Sequence, residues 1–254
     1  MCELLGASLK RPADFKKYLE VFFSHSINHP HGWGLMSMQN GRPVIVKESL
    51  CARESIAAAE AVDKLTPQKD ILAHIRYATV GSKRIENSHP FWNTDNSGRQ
   101  WTLIHNGTIY SGMELMKYLD LQNGDTDSER IFLYLLDAVN CEIKKNPNPD
   151  DKIRFEIIDR LVNRLSPRNK LNLMIFDGEV LYVHKNMNNT LSYKYTDDGV
   201  ILSTQPLDDD GWRDLPMCRL FAFKHGEKIF EGTSHENVFI PTLNYITAMD
   251  AMNI

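Results

Sequence analysis

The chain has 254 residues, of which 42% are apolar and 24% are charged, and its formal net charge is −4. This length is sufficient to bury a core, and the composition is ordinary for a globular protein. The small negative charge provides no basic surface for nucleic acid or an anionic membrane, and no apolar run approaches the ~18 residues that span a bilayer.

The four cysteines, Cys2, Cys51, Cys141 and Cys218, are scattered along the chain without CxxC spacing. Such scattering is typical of reduced thiols in a cytosol. The start of the sequence also lacks the basic and apolar regions of a secretory signal. We therefore expect a cytoplasmic protein without disulfides.

The first predicted element is an apolar strand over residues 4–9, and Cys2 lies just before it. Removal of Met1 would leave one residue with both a thiol and a free α-amine. The pKa of such an amine, about 7.7–8.0, suits a base that takes the proton of a nucleophilic thiol. The alternative is that Cys2 is a small apolar residue in an edge strand. Position alone leaves both interpretations open.

The remaining pattern mixes helices and short strands. Pro12 favours the start of a helix, Asn40-Gly41 is a strong hairpin signal, and Asp125 or Thr126 is a candidate cap with Glu129 as its capping-box partner. The predicted helices cover residues 11–24, 53–65, 125–145 and 152–165. The predicted strands cover residues 35–38, 44–46, 70–79, 101–105, 171–176, 180–185, 199–203 and 218–224.

This order of elements is not the regular alternation of a parallel sheet. It predicts an α+β protein with two antiparallel sheets and helices on the outside. The sharpest break, residues 146–149 with sequence NPNP, is interpreted as a loop. We therefore expect one domain over residues 1–254.

Several polar residues stand where a predicted strand ends. Arg76 is either a carboxylate-binding cation or a member of a surface salt bridge. Asn106-Gly107 is either a hairpin turn or an oxyanion hole formed by the Asn amide and the Gly N–H. Asp127 either stabilises a helix N-terminus or binds an ammonium group, and His89 is either a loop residue or a positioning donor.

The histidines raise the question of a metal site. Their spacing matches no zinc pattern of the HExxH or CxxC kind. We expect no catalytic metal, and we expect histidines within strands, such as His74 and His105, to be hydrogen-bonded core residues. No nucleotide-binding loop is present, so no cofactor is expected.

Six motifs follow one another along the chain: MCELLG at residues 1–6, HGWG at 31–34, AHIRYAT at 73–79, SHPF at 88–91, HNG at 105–107 and TDSE at 126–129. Together they resemble the class II glutamine amidotransferase family. The likeness is greatest to its stand-alone branch beginning MCELLG, which includes γ-glutamyl hydrolases, and it extends to STQPL at residues 203–207. The resemblance implies the four-layer αββα sandwich of N-terminal-nucleophile hydrolases.

The resemblance also implies roles at the reacting bond. Cys2 would be the nucleophile and its freed amine the base, while Asn106 and Gly107 would form the oxyanion hole. The implied reaction is hydrolysis of the γ-amide of glutamine, or of a related γ-glutamyl compound, through a thioester.

The implied substrate-binding residues read the amino-acid head group. Arg76, together with Thr79 and the loop of His89, would hold the α-carboxylate, and Asp127 would hold the α-ammonium. The expected partner is a small-molecule substrate, with no nucleic acid and no membrane.

Two departures from synthetase-linked members fall in the region that closes over glutamine. Tyr77 stands where these members usually carry Trp, and Val80-Gly81 replaces a segment that often carries His. A free hydrolase and an ammonia donor to a separate acceptor subunit therefore both remain open. The alternative from another class is a non-catalytic amino-acid-binding module or regulatory subunit with the same pocket.

Overall fold

The computed structural model describes residues 2–241, which form two stacked antiparallel sheets with helices on both outer faces. The α-helices are α1 (Lys16–Ser24), α2 (Ile56–Asp63), α3 (Asp127–Ile143) and α4 (Asp151–Leu165). The strands are β1 (Glu3–Ala13), β2 (Trp33–Gln39), β3 (Arg42–Glu48), β4 (Gln68–Ile75), β5 (Phe91–Thr94), β6 (Gln100–Thr108), β7 (Lys170–Phe176), β8 (Val180–Lys185), β9 (Ser192–Thr196), β10 (Gly199–Ser203), β11 (Arg213–Asp214), β12 (Arg219–Lys224) and β13 (Glu227–Glu231).

The first sheet has seven strands in the order β11-β9-β10-β1-β4-β2-β3, and the second has six in the order β13-β12-β8-β7-β6-β5. Every neighbouring pair is antiparallel. The first strand of the chain, β1, lies inside its sheet between β10 and β4. The predicted α+β architecture of two antiparallel sheets flanked by helices is confirmed.

Three apolar clusters hold the layers together. One lies between α1, α2 and the first sheet, and another lies between α3, α4 and the second sheet. The third fills the space between the sheets, and we call its central part the apolar middle. The residues of the apolar middle are Leu4, Leu72, Ile104, Met174 and Leu202.

The start of the chain differs from the sequence prediction. Residues 11–13 continue strand β1 instead of opening a helix, because Lys10 N donates to Asp198 O and Ala13 pairs with Gln68. Pro12 lies where the register with β4 shifts, so its missing N–H breaks no ladder bond. Helix α1 begins only at Lys16.

Other helix and strand boundaries also differ from the sequence prediction. Strand β4 ends at Ile75, so Arg76 and the residues after it form a loop. Helix α2 begins at Ile56, where Ser55 accepts a hydrogen bond from Ala58 N. The structure has four strands that the sequence pattern did not predict, namely β5, β9, β11 and β13.

Two turn and cap predictions have separate outcomes. Asn40 and Gly41 have φ angles of 50° and 75°, the conformation of a type I′ hairpin turn, as predicted. Thr126 caps α3 by accepting from Glu129 N. The predicted capping box is wrong, because the Glu129 carboxylate accepts from Asn123 N and Gly124 N instead of returning to the cap.

Among residues 2–241, no helix is long and apolar enough to cross a membrane.

Candidate active site

Polar side chains from both sheets converge at one end of the space between the sheets, which we call the polar end. Side chains alternate along a strand, so the face that carries the apolar middle also carries these groups two to four residues away. The thiol and the two cations are close enough to alter one another's pKa values. The residues of the polar end are Cys2, His74, Arg76, Asn106, Lys170 and Asn172.

Cys2 lies just before β1 and is partly exposed. Its Sγ accepts a hydrogen bond from the Tyr77 backbone N–H at 3.4 Å. Burial raises the pKa of the thiol above its ordinary value, although this N–H and the nearby cations Arg76 and Lys170 oppose the rise. The thiol is therefore mainly protonated near neutral pH, and a thiol in this state would need a base before it could act as a nucleophile.

Residues far along the chain hold the strand that follows Cys2. Leu4 N donates to Thr204 Oγ1, and Thr204 N donates to Leu4 O, both at 2.9 Å. Gln205 Nε2 donates to the buried Glu3 carboxylate at 3.1 Å, and His25 Nδ1 contacts the same carboxylate at 2.9 Å. The STQPL stretch therefore has a structural role, because its Thr204 and Gln205 fix the position of β1.

Asn106 lies inside β6 and faces Asn172 of β7, so the hairpin-turn interpretation of Asn106-Gly107 is wrong. Its Oδ1 accepts from Lys170 Nζ at 3.0 Å. Its Nδ2 is buried and has no hydrogen-bond partner within the described part of the chain. A buried amide donor without a partner is costly, so this group requires an explanation.

Gly107 packs against the backbone of the next strand. A Cβ atom at this position would lie 2.0 Å from Lys170 O and 2.3 Å from His105 Nε2. Any side chain here would push β7 away from β6. A glycine is therefore required because another group approaches this position closely, which is the steric reason that the sequence suggested. The approaching group is the backbone of strand β7.

Arg76 is 3% exposed and holds the loop that follows it. Its Nη1 donates to Ser82 O at 2.9 Å, and its Nη2 donates to Val80 O at 2.9 Å and to Gly81 O at 3.3 Å. The surface salt-bridge interpretation is therefore wrong. A guanidinium has five N–H donors, more than these three bonds use.

Asp127 is the first residue of α3 and is almost fully buried. Its Oδ2 accepts from Ile109 N at 2.7 Å, which fixes the chain just after β6. Its Oδ1 accepts only a long bond of 3.3 Å from the Ser128 hydroxyl among the described residues. The carboxylate acts electrostatically on Arg76, so the two head-group candidates are close enough to interact.

Thr79 and His89 lie in different surroundings. Thr79 is exposed in the loop after β4. His89 is buried, with its ring 4.0 Å from the His74 ring and 4.8 Å from the Phe91 ring between centroids. Burial lowers the pKa of His89 well below its usual value, and its Nδ1 accepts from His105 N at 3.4 Å. His89 is thus a packed neutral residue whose Nδ1 accepts a hydrogen bond, which leaves the imidazole proton on Nε2, and its role as a positioning donor stays a prediction.

Sequence reasoning missed two contributors to this site. Tyr77 acts through its backbone N–H, which no side-chain pattern reveals. Lys170 begins a strand and looks like a solvent-facing residue, but it is 1% exposed. The signal that could have found it is the alternation of β7, which places Lys170 on the face of Met174. Within residues 2–241, no three His, Cys, Asp or Glu side chains form a group that could hold a metal.

A family model described as glutamine amidotransferases class-II matches residues 1–195. A putative glutamine amidotransferase of Haemophilus influenzae is 27% identical, over 99% of this chain and 95% of its own. A gamma-glutamyl-hercynylcysteine sulfoxide hydrolase of Mycolicibacterium smegmatis is 31% identical, over 58% of this chain and 56% of its own.

A solved structure of an allosteric regulatory enzyme of purine biosynthesis is similar in fold, with a TM-score of 0.70 and 16% sequence identity. The match covers 94% of this chain but only 50% of that one, so the chain spans about half the length of that enzyme. The similarity confirms the predicted αββα sandwich.

Proposed function

The chain belongs to the class II glutamine amidotransferases and has the fold of N-terminal-nucleophile hydrolases, and from this premise we propose that it hydrolyses the γ-amide of glutamine or of a related γ-glutamyl compound. The nucleophile in this proposal is the Cys2 thiol. Attack on the γ-carbonyl carbon gives a tetrahedral intermediate, whose collapse expels ammonia or an amine and leaves a γ-glutamyl thioester. Water then releases glutamate and restores the thiol.

The observation that carries the proposal is the amide of Asn106. Its Nδ2 is a buried donor without a partner in the described chain, in the same site as a thiol. A donor held in this way suits the negative oxygen that forms when a thiol attacks a carbonyl. In the proposal the Gly107 N–H supplies the second donor. The missing hydrogen bond of Asn106 is then made during the reaction.

The base in this proposal is the α-amine of Cys2 after removal of Met1, which lies outside the described residues. The raised pKa of the thiol supports the need for such a base. An amine on the same residue is near enough to take the proton without a histidine. Burial lowers the pKa of His74 well below its usual value, so this histidine is a weak proton acceptor, which agrees with this assignment.

Two charges would select the amino-acid head group. Arg76 retains N–H donors beyond its three loop bonds, and these would hold the α-carboxylate. Asp127 has one oxygen that only a long bond occupies, and this would accept the α-ammonium. Thr79 lies on the exposed loop beside Arg76 and would close over the carboxylate.

The leaving group is less restricted in this proposal, because none of these residues is assigned to it. The relative named as a hydrolase of a γ-glutamyl compound supports a substrate range beyond glutamine. In this proposal, whether ammonia is released into solution or passed to a separate acceptor subunit depends on a partner protein and not on the pocket.

The proposal is tested by intact mass, label mapping and product release on one preparation. We expect a mass that lacks one Met, and a single label on Cys2 from a γ-glutamyl diazo-ketone. Cys141 is exposed and is the main competing thiol, so Cys141→Ser is the matched control. Label on Cys51, Cys141 or Cys218 with Cys2 unmodified would refute the assignment of the nucleophile.

A substrate panel tests the head-group assignment on the same protein. We expect glutamate release from glutamine and from several γ-glutamyl amines. Asparagine should be cleaved roughly 10²-fold more slowly, since misplacement of the carbonyl by ~1 Å has a cost of that order. N-acetyl-glutamine should fail because it offers Asp127 no ammonium. Equal turnover of either compound and glutamine would contradict this assignment, and no turnover of any compound would favour a binding module.

A further inference from the structure

We propose that Lys170 is a positioning residue for the oxyanion hole: its ammonium fixes the orientation of the Asn106 amide and keeps a positive charge beside the Cys2 thiol. This inference rests on the proposed function and deepens it. It assigns a part in the chemistry to a buried cation that carries no recognisable motif.

The strand geometry brings Lys170 to Asn106. In the β6–β7 pairing Asn106 is opposite Asn172, and Lys170 is two residues before Asn172 on the same face of β7. Lys170 is therefore the diagonal neighbour of Asn106. Its Nζ reaches Oδ1 of that amide at 3.0 Å, and the side chain is 1% exposed.

The contact determines which way the amide points. A lysine ammonium can only donate hydrogen bonds, so the amide atom that faces it must be the oxygen. The other amide atom, Nδ2, is thereby turned away from Lys170 as a donor. Without Lys170 the amide could rotate and present its oxygen to the reacting carbonyl, where it would repel a developing negative charge.

The positive charge of Lys170 has an effect beyond orienting the amide. An acceptor bonded to a cation polarises its own amide, so Nδ2–H becomes a better donor inside a site of low dielectric. Lys170 also acts electrostatically on Cys2 and lowers the pKa of the thiol, against the larger effect of burial. Burial lowers the pKa of Lys170 itself to about 8, while Cys2 opposes that change.

A second buried lysine provides a matched control. Lys185 at the end of β8 is also fully enclosed, and its Nζ donates to Leu191 O and to the Asp214 carboxylate. It makes no contact with Asn106 or Cys2 in the described structure. A general effect of removing a buried lysine should therefore appear in both positions.

The test is a double-mutant cycle between Lys170→Met and Asn106→Ala. We expect Lys170→Met to lower kcat by on the order of tenfold to a hundredfold with KM almost unchanged, less than the 10²–10³-fold cost of losing an oxyanion donor. In the Asn106→Ala background the same change should have a much smaller effect, limited to the direct electrostatic effect of Lys170 on Cys2. Lys185→Met should retain the wild-type kcat per folded molecule.

Other outcomes overturn the inference. An equal loss of kcat in both backgrounds would show that Lys170 does not act through Asn106, and a rise in KM alone would make it a binding residue. Lys170→Gln covers the case in which the Met variant does not fold. The Gln side chain keeps a hydrogen-bond donor but has no charge, so the kcat of this variant should lie between that of the wild type and that expected for Lys170→Met. A wild-type kcat would contradict the role of the charge.

A readout without turnover separates this inference from the proposed function. The rate of Cys2 alkylation by iodoacetamide is followed against pH in the Cys141→Ser background, with peptide mapping. Loss of the cation should raise the pKa of Cys2 and slow its alkylation at pH 8. If the wild type cleaves no γ-glutamyl compound, the proposed function fails, but an unchanged alkylation profile in Lys170→Met would refute the role of Lys170.

Discussion

The apolar middle and the polar end of the space between the sheets are built from the same strands but follow different rules. Strand β6 supplies Ile104 to the apolar middle and Asn106 to the polar end, and β7 likewise supplies Met174 and Lys170. In the middle each side chain contributes its volume, and a similar shape can replace it. At the polar end each group must meet a particular partner in a particular direction. On β6, Ile104 of the apolar middle and Asn106 of the polar end are thus only about 7 Å apart along the strand.

The largest expected effect at the polar end comes from Arg76→Ala. It should lower kcat/KM by about 10²–10⁴-fold, because charge-assisted hydrogen bonds contribute ~1.5–3 kcal/mol each and the guanidinium fork can make two to a carboxylate. The same change releases the carbonyls of Val80, Gly81 and Ser82. Steady-state kinetics and amide hydrogen exchange of the loop measure the two consequences separately.

Asp127→Asn is the matched variant for Arg76→Ala. It removes the charge that would bind the ammonium but keeps an oxygen for the Ile109 N–H. We expect a higher KM with normal hydrogen exchange in the loop after β4. Unchanged kinetics in both variants would mean that the head group binds elsewhere.

The next effect compares Asn106 with its neighbour on the same face, Ile104. Asn106→Ala should lower kcat about 10²–10³-fold, as expected for one oxyanion donor, with little change in substrate binding. Ile104→Val, in the apolar middle, should lower the free energy of unfolding by about 0.5–1.5 kcal/mol with normal kcat. If Asn106→Ala instead lost stability at normal kcat per folded molecule, Asn106 would belong with the structural residues.

The sequence predicted the apolar middle better than the polar end, since apolar periodicity is a local signal. The bounds of β8 and β10 agree with the predicted strands, and Asn40-Gly41 forms its hairpin. Local signals failed where a distant partner decides the outcome. Pro12 looks like a helix start, yet β4 and the Asp198 carbonyl keep its neighbours in a strand.

The polar end depends on contacts between sheets, which sequence spacing does not encode. Cys2 and Asn106 were suggested by their motifs, and Asn106-Gly107 could not be distinguished from a turn without the partner strand β7. Lys170 and the Tyr77 N–H enter the site only through the relative position of the two sheets. Their roles follow from geometry that no single segment specifies.

The one expected effect that depends on pH concerns Asp70, on the face of β4 that carries Leu72. Its Oδ1 is buried without a hydrogen-bond partner in the described chain, and burial raises the pKa of this carboxyl from 3.8 to about 7. Because the pKa is raised in the folded state, the folded protein is favoured when Asp70 is protonated. This contribution is complete below pH 3.8 and is lost as the pH rises through about 7.

Asp70→Asn should therefore raise the free energy of unfolding at pH 8 by about 1–3 kcal/mol, less than the limit of about 4 kcal/mol that the full shift in pKa would give. The gain should be largest at pH 8 and shrink toward pH 5. Chemical denaturation of wild type and variant across this range measures it. Equal stability differences at both pH values would contradict the raised pKa of Asp70. The kcat should stay unchanged because Asp70 lies outside the polar end.

The clamp on the strand after Cys2 has a consequence for the order in which the molecule assembles. The hydrogen bond between Leu4 and Thr204 joins residues 200 positions apart, and β1 pairs with β10 as well as with β4. During synthesis β1 leaves the ribosome long before β10, which is one of its two neighbours in the sheet. Contacts of such long range close slowly. The strand that follows Cys2, the nucleophile in our proposal, is thus made well before the strand that holds it in place.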